Sequence, residues 1–263
     1  MWYDKLIFYD RRTGGDANVT DIHCHILPAI DDGAEALDEA LEMVRMAWES
    51  GVQQIIATPH CNLPGLENHR SQQLFDRLAA LQEAVDKAGI GVTLLPGAEV
   101  MATPQLDELL RQNRLQTLAD SRYLLIEFYF DEDGEVMEHL LQTVADTGLI
   151  PVIAHPERYE AVQRQPLTVT HWFRSGYIIQ VNKGSLLGRL GRRAKIAADW
   201  ILDQGLAHVV ASDGHSAVFR TPHMTGIREY LTDHYGSRYT DILLHINPGR
   251  IAQDLPVLQA DEL

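Results

Sequence analysis

Val19-Thr20-Asp21-Ile22-His23-Cys24-His25 is the stretch around which the chain is organised. Read as a strand, its side chains alternate at a period of two. Asp21, His23 and His25 then share one face, while Ile22 and Cys24 turn into apolar packing. Two imidazoles at that spacing reach a common metal ion without bending the backbone, and a carboxylate behind them can orient a ring by hydrogen bonding. An isolated H-x-H pair fits two incidental histidines on a half-buried strand equally well. What stands at the ends of the later strands decides between the two.

Working outward, Pro28-Ala29-Ile30-Asp31-Asp32-Gly33 reads as a turn, and Leu37, Leu41, Val44 and Trp48 recur at helical spacing up to Ser50-Gly51. Val52 to Ala57 is a short apolar strand ending at Thr58-Pro59-His60, and Leu74, Leu78, Leu81 and Val85 mark the next helix. The alternation continues with strands at Val92–Glu99, Tyr123–Phe128, Pro151–His155, Tyr177–Asn182 and His208–Asp213. Helices are expected near 104–113, 136–147, 168–174, 192–203, 224–235 and 239–246. Seven strand–helix units with no dividing linker predict a parallel α/β sheet, closed as a distorted seven-stranded (β/α) barrel of TIM-barrel type. An open doubly wound sheet is the alternative, but no G-x-G-x-x-G or P-loop pattern follows an early strand.

Composition sets the outer bounds. The 263 residues are 45% hydrophobic and 22% charged, the balance of a globular chain. Residues 1–18 read as an N-terminal extension, with Leu6–Tyr9 as a potential edge strand, and 19–263 as a single domain. The formal net charge of −15 argues against nucleic acid, whose phosphates require a basic surface. Two cysteines imply no disulfide framework. No secretory signal or membrane-spanning run is visible, so the expectation is a cytoplasmic protein without membrane insertion.

The polar residues at the strand ends form a set. His23 and His25 come from the first strand, Asp32 from the turn after it, and His60, Glu99, Glu127 and His155 from the next four. Asp213 and His215 close the seventh. In a parallel barrel every C-terminal strand end lies on one rim, so these nine converge. A mixed imidazole and carboxylate set suits Zn²⁺, Mn²⁺ or Fe²⁺ better than Ca²⁺. Arg158, three residues past His155, and Arg220, five past His215, add forked donors suited to phosphate oxygens; each could instead pair with a nearby carboxylate. A cysteine-based phosphatase would need an arginine six residues after its thiolate, where Cys24 has Ile30 and Cys61 has Glu67. No G-x-S-x-G serine-hydrolase pattern occurs.

Asp21-Ile22-His23-Cys24-His25, Ile30-Asp31-Asp32-Gly33, Thr58-Pro59-His60, Gly97-Ala98-Glu99, Ile126-Glu127-Phe128, His155-Pro156-Glu157-Arg158-Tyr159 and Ala211-Ser212-Asp213-Gly214-His215 together resemble the polymerase-and-histidinol-phosphatase (PHP) superfamily. More narrowly, they resemble its bacterial capsule-biosynthesis, manganese-dependent tyrosine phosphatases, over about 19–253. The resemblance implies the PHP barrel and two to three divalent ions, manganese foremost with iron or zinc as alternatives. It implies a first ion on His23, His25, Glu99 and Asp213, a second on Glu99, Glu127 and His155, and a third on Asp32, His60 and His215. Arg158 and Arg220 would contact phosphate. The implied activity is hydrolysis of phosphotyrosine on the tail of a membrane-associated bacterial tyrosine kinase controlling capsule or exopolysaccharide synthesis, by attack of a metal-bridging hydroxide. Self-association into a homo-oligomer is a further implication. A phosphatase of histidinol-phosphate type, or a non-catalytic metal-dependent phosphopeptide scaffold, are the alternatives.

Overall fold

The computed structural model describes residues 18–259. The expected edge strand at Leu6–Tyr9, and all of the extension before Asn18, lie outside them. Along the chain run β1 (Val19–Cys24), α1 (Leu37–Glu49), β2 (Val52–Ala57), β3 (His60–Cys61), α2 (Gln72–Lys87), β4 (Thr93–Pro96), β5 (Glu99–Met101) and α3 (Leu106–Arg111). Then come β6 (Tyr123–Glu127), α4 (Gly134–Ala145), β7 (Ile150–Ala154), α5 (Glu160–Arg164), α6 (Leu167–Arg174), β8 (Ile178–Asn182), α7 (Lys183–Leu186), α8 (Arg192–Asp203) and β9 (Val209–Ala211). Helices α9 (Thr225–Tyr235), α10 (Ser237–Asp241) and α11 (Asn247–Ala252) follow. A π-helical turn at Ile242–Ile246 joins the last two, so the helix expected over 239–246 is in fact a change of helical pitch. No helix among the described residues is long and apolar enough to cross a membrane.

Among the described residues the fold is α/β with all sheet pairings parallel, but the strands number nine in two sheets, ordered β1-β2-β4 and β3-β5-β6-β7-β8-β9. The difference from the expected seven arises at two interruptions. β2 stops at Ala57 and resumes as β3 after Thr58-Pro59, because proline has no N–H for the ladder. β4 stops at Pro96, and β5 begins beyond Gly97-Ala98. At both breaks the chain passes from the first sheet to the second, which sets His60 opposite Glu99 in the new ladder. The sheets are tied where they meet: Thr58 N–H donates to the Cys24 carbonyl at 3.0 Å, and Glu99 N–H to the Pro59 carbonyl at 3.1 Å. The end of β1 is bonded on its other side as well, with Asp213 N–H donating to the His23 carbonyl and His25 N–H to the Gly214 carbonyl.

β1 does not keep strict alternation. Its pairing with β2 slips between Asp21 and Cys24, a bulge of the kind that re-aims side chains beside functional sites. Ile22 accordingly packs among strand residues such as Leu125, Val152 and Val209, whereas Cys24 joins the separate cluster beneath the helices. The expectation that Ile22 and Cys24 share one face is thereby corrected. α2 buries the expected Leu74, Leu78, Leu81 and Val85, and the Ser71 side chain caps it by accepting from Leu74 N–H. α1 instead buries Ala40, Met43, Val44 and Ala47, leaving Leu37 and Trp48 exposed.

Gly97 carries the second break. A Cβ there would lie 2.6 Å from Ile56 Cγ2 and 3.1 Å from the Ala57 carbonyl oxygen, and Ile56 is a fully buried β-branched residue with little room to move. Gly97→Ala is expected to cost about 1–3 kcal/mol of stability, measured as a lower urea midpoint at unchanged slope.

Candidate metal centre

All nine strand-end residues meet at one place. The Glu99 carboxylate, 1% exposed, lies at the middle of four rings. Its Oε1 is 3.2 Å from His23 Nε2 and 2.8 Å from His155 Nε2; its Oε2 is 3.2 Å from both His25 Nε2 and His60 Nδ1. His60 Nδ1 also lies 2.8 Å from Glu127 Oε1, and its Nε2 lies 3.2 Å from Asp32. Asp213 Oδ1 is 3.5 Å from His23 Nε2 and 3.4 Å from His215 Nδ1. Asp32 is the exposed member of the set; the others are buried or half-buried.

Ring orientation is set from behind by residues the sequence reading passed over. His23 Nδ1 faces the Gln180 side-chain oxygen at 2.9 Å, and His25 Nδ1 faces Asp31 Oδ2 at 2.8 Å. Both acceptors take the proton on Nδ1, so both Nε2 atoms are turned toward one point, 3.3 Å apart; each offers a lone pair there once its ring is neutral and donates to Glu99 while the ring is protonated. Asp31 also accepts from the backbone N–H groups of Gly33 and His60. Asp21, cast in the sequence reading as the carboxylate behind the rings, accepts the backbone N–H groups of His23 and Ser212 instead. It braces the bulged strand and does not reach an imidazole. The signals for the true partners were present: a glutamine inside an otherwise apolar strand, and a second aspartate beside Asp32.

The electrostatics follow from crowding carboxylates out of water. Burial opposes ionisation of Glu99, but the His23 charge and hydrogen bonds from His155, His23 and His25 hold it well below the usual range. Asp213 is likewise depressed, with His23 and Arg220 outweighing burial. Burial also opposes charging of His25, yet Asp31 and Glu99 raise it to about 9; Asp32 and Glu127 raise His60 to about 11. Burial pushes Glu127 up, with repulsion from Glu99 adding to it. His155 falls to about 4 through burial, and His215 to about 3 through burial and then its neighbour His25. Positive charge is what this carboxylate cluster demands, and imidazole protons and divalent cations compete to provide it.

The donor set fits cations on this ground and on a second: Asp213 Oδ1 and His215 Nε2 are buried without a hydrogen-bond partner among the described residues. Four overlapping groups have ligand atoms within 4.8 Å of one another: His25/Asp32/His60/His215, His23/Glu99/His155, His23/His25/Asp213 and His60/Glu99/Glu127. Glu99 belongs to two of them, as a bridging carboxylate would. Glu127 groups with His60 here, whereas the family resemblance pairs it with His155.

Both arginines arrive at the same carboxylate. Arg158 Nη1 is 3.3 Å from Asp213 Oδ2, Arg220 pairs with that same oxygen, and Asn182 Nδ2 donates to it at 2.5 Å. His155, Asp213 and Arg220 all sit in the left-handed backbone region, with φ of 36°, 49° and 50°. Such strain in non-glycine residues collects at functional sites. The segment after Arg220 is tied down by buried Lys183, whose ammonium donates to the Thr221 and His223 carbonyls.

Comparison with known proteins places the chain among a defined group. The family model for capsular polysaccharide synthesis, CpsB/CapC, matches residues 19–253. The chain is 36% identical over 217 residues to tyrosine-protein phosphatase YwqE of Bacillus subtilis, covering 82% of this chain and 85% of that protein. It is 29% identical over 239 residues to tyrosine-protein phosphatase CpsB of Streptococcus pneumoniae, covering 89% and 98% respectively. A crystal structure from work on YwqE of Bacillus subtilis and CpsB of Streptococcus pneumoniae, described there as metal-dependent tyrosine phosphatases, superposes with a TM-score of 0.85 at 33% identity. It covers 91% of this chain and 96% of its own.

Two outcomes follow. Asp31→Asn removes the charge that holds His25, and is expected to weaken divalent-ion affinity by about 10–100-fold, measured by competition with a chromogenic chelator. Because the His25 pKa is raised to about 9, that ring is protonated at pH 7.5 in protein stripped of divalent ions and must lose its proton to ligate. Calorimetry in buffers of different ionisation enthalpy should therefore show net proton release on cation uptake, and affinity should climb as pH rises toward 9.

Proposed function

The chain belongs to the CpsB/CapC capsular polysaccharide synthesis family, and we propose that it is a metal-dependent protein-tyrosine phosphatase. Its substrate is phosphotyrosine on a membrane-associated bacterial tyrosine kinase that governs capsule or exopolysaccharide assembly. The observation that carries this reading is the convergence of nine imidazole and carboxylate donors with two arginines on one buried cluster. Two to three divalent cations, with manganese first and iron or zinc behind it, would be held by His23, His25, Asp32, His60, Glu99, Glu127, His155, Asp213 and His215. When bound they supply Lewis-acid polarisation of phosphoryl oxygens and acidify water for attack at neutral pH.

The remaining work falls to the chain itself. Arg158 and Arg220 both rest on Asp213, so their guanidinium groups stand at the edge of the cluster, ready to fork onto phosphoryl oxygens and spread the developing charge. Phenolate, with a pKa of about 10, leaves without strong general-acid help. The recess in which this happens is best understood as one distorted barrel of seven strand positions, counting β2 with β3 and β4 with β5 as single interrupted strands. The bonds joining the ends of β1 to Asp213 and Gly214 support that closure.

Protein stripped of metal and refilled with Mn²⁺, Fe²⁺ or Zn²⁺ should release phosphate from a tyrosine-phosphorylated peptide faster than from histidinol phosphate. Silence with every metal would sink the reading. Arg158→Ala should lower turnover by about 10²–10³-fold while metal content, measured by mass spectrometry, is unchanged. Joint loss of metal and activity would make Arg158 structural instead.

A further inference from the structure

Beyond the nine donors and two arginines, an aromatic side chain at the mouth has no role assigned. From Glu127 at the end of β6 the chain runs through buried Phe128 to Tyr129 and Phe130, both exposed. The backbone here is pinned twice: Phe128 N–H donates to the Tyr159 hydroxyl at 3.1 Å, and the Phe130 carbonyl accepts from Glu160 N–H at 2.8 Å. The Arg158 guanidinium carbon lies over the Phe130 ring, 4.4 Å from its centroid. The His155 ring centroid is 6.2 Å away and that of Tyr159 is 6.3 Å. With this much contact on its inner side, Phe130 still leaves 47% of its surface exposed, while Glu99, His155 and Glu127 are 1%, 2% and 6% exposed. The donors are recessed; the phenyl ring stands on the rim above them.

Resting on the phosphatase reading, we propose that Phe130 is a specificity-determining residue whose exposed ring receives the aromatic ring of an aryl phosphate ester. A phosphoryl group that engages Arg158 must direct its ester substituent out of the recess. Phe130, stacked on that same arginine, offers the apolar surface beside the exit path. An aryl group packs there offset or edge-on, the arrangement aromatic pairs prefer. A short alkyl ester, such as phosphoserine, has no ring to pack and less reach from a peptide backbone down to buried donors. Scattered exposed hydrophobic residues need no explanation in general. This one differs because a pinned backbone and a guanidinium stack hold it at a phosphate-binding arginine.

A ring that served merely to steady Arg158 would affect every phosphoryl ligand alike, and that difference supplies the test. Non-hydrolysable phenylphosphonate and methylphosphonate are titrated as competitive ligands of the metal-loaded full-length protein and of Phe130→Ala, Phe130→Leu and Phe130→Tyr. The wild type should favour phenylphosphonate. Phe130→Ala should weaken phenylphosphonate by about tenfold and methylphosphonate by less than about twofold, with Phe130→Leu intermediate and Phe130→Tyr near wild type. Equal losses on both ligands, or no wild-type preference for the phenyl compound, would overturn the role. Phosphate release from a tyrosine phosphopeptide is measured alongside. Its absence with the phenyl preference intact would sink the phosphatase reading alone, and loss of the preference with hydrolysis intact would sink the role of Phe130 alone.

Discussion

The carboxylate of Glu99, removed from water and ringed by His23, His25, His60 and His155, is the interaction on which the rest of the structure depends. A buried carboxylate is tolerated only when positive charge and hydrogen bonds replace its lost hydration. The four rings come from three strands, His23 and His25 from β1 and its end, His60 from β3 and His155 from the end of β7, so satisfying one side chain fixes several strands relative to each other. The two interruptions at Pro59 and Gly97 serve this end. They move the chain from one sheet to the other and set His60 and Glu99 opposite each other in a new ladder. The cost of broken ladders is offset by carbonyls that find partners across the junction, Cys24 with Thr58 and Pro59 with Glu99.

Around this centre the polar groups are layered by function. Gln180 and Asp31 aim the rings; Asp21 and Ser212 hold the bulged strand that carries them. Buried Glu157 accepts from Asn182 N–H and the Ser185 hydroxyl, and Asn182 in turn reaches Asp213. Asp213 thus sits between a rigid network on one side and two arginines on the other. The same burial that makes this network strong rules out the cysteines as nucleophiles. The Cys24 thiol is raised well above its ordinary value by burial, and burial pushes Cys61 up to about 12. A thiol held neutral in this way is a packing group.

Much of this was legible in one dimension because the chemistry obeys position. Charged and imidazole residues repeatedly terminate apolar strands, and a parallel α/β fold brings such termini to one end. That regularity brings His23, His25, His60, Glu99, Glu127, His155, Asp213 and His215 together, whereas Asp32, Arg158 and Arg220 reach the cluster from the segments that follow the strands. The stripe of α2 was legible for a similar reason: its leucines are spaced so that a single helical face buries them. On α1 the helix and the burial of Val44 were legible too, but Leu37 and Trp48 are exposed and Ala40, Met43 and Ala47 complete the buried face.

By itself, then, the sequence determined the α/β alternation, the residue types at the strand ends, and the exclusion of a thiol nucleophile. Only the tertiary structure decided where strands break, which residues stand behind the rings, and how the donors group. The physical reason is that these depend on contacts between segments far apart in the chain. The slip of β1 against β2 turns Asp21 away from the histidines it precedes. Gln180 reaches His23 across 157 positions. The stacking of Phe130 under Arg158 joins two loops that share no local pattern. Local periodicity carries information about a residue's own neighbours and none about the strand that will pack beside it.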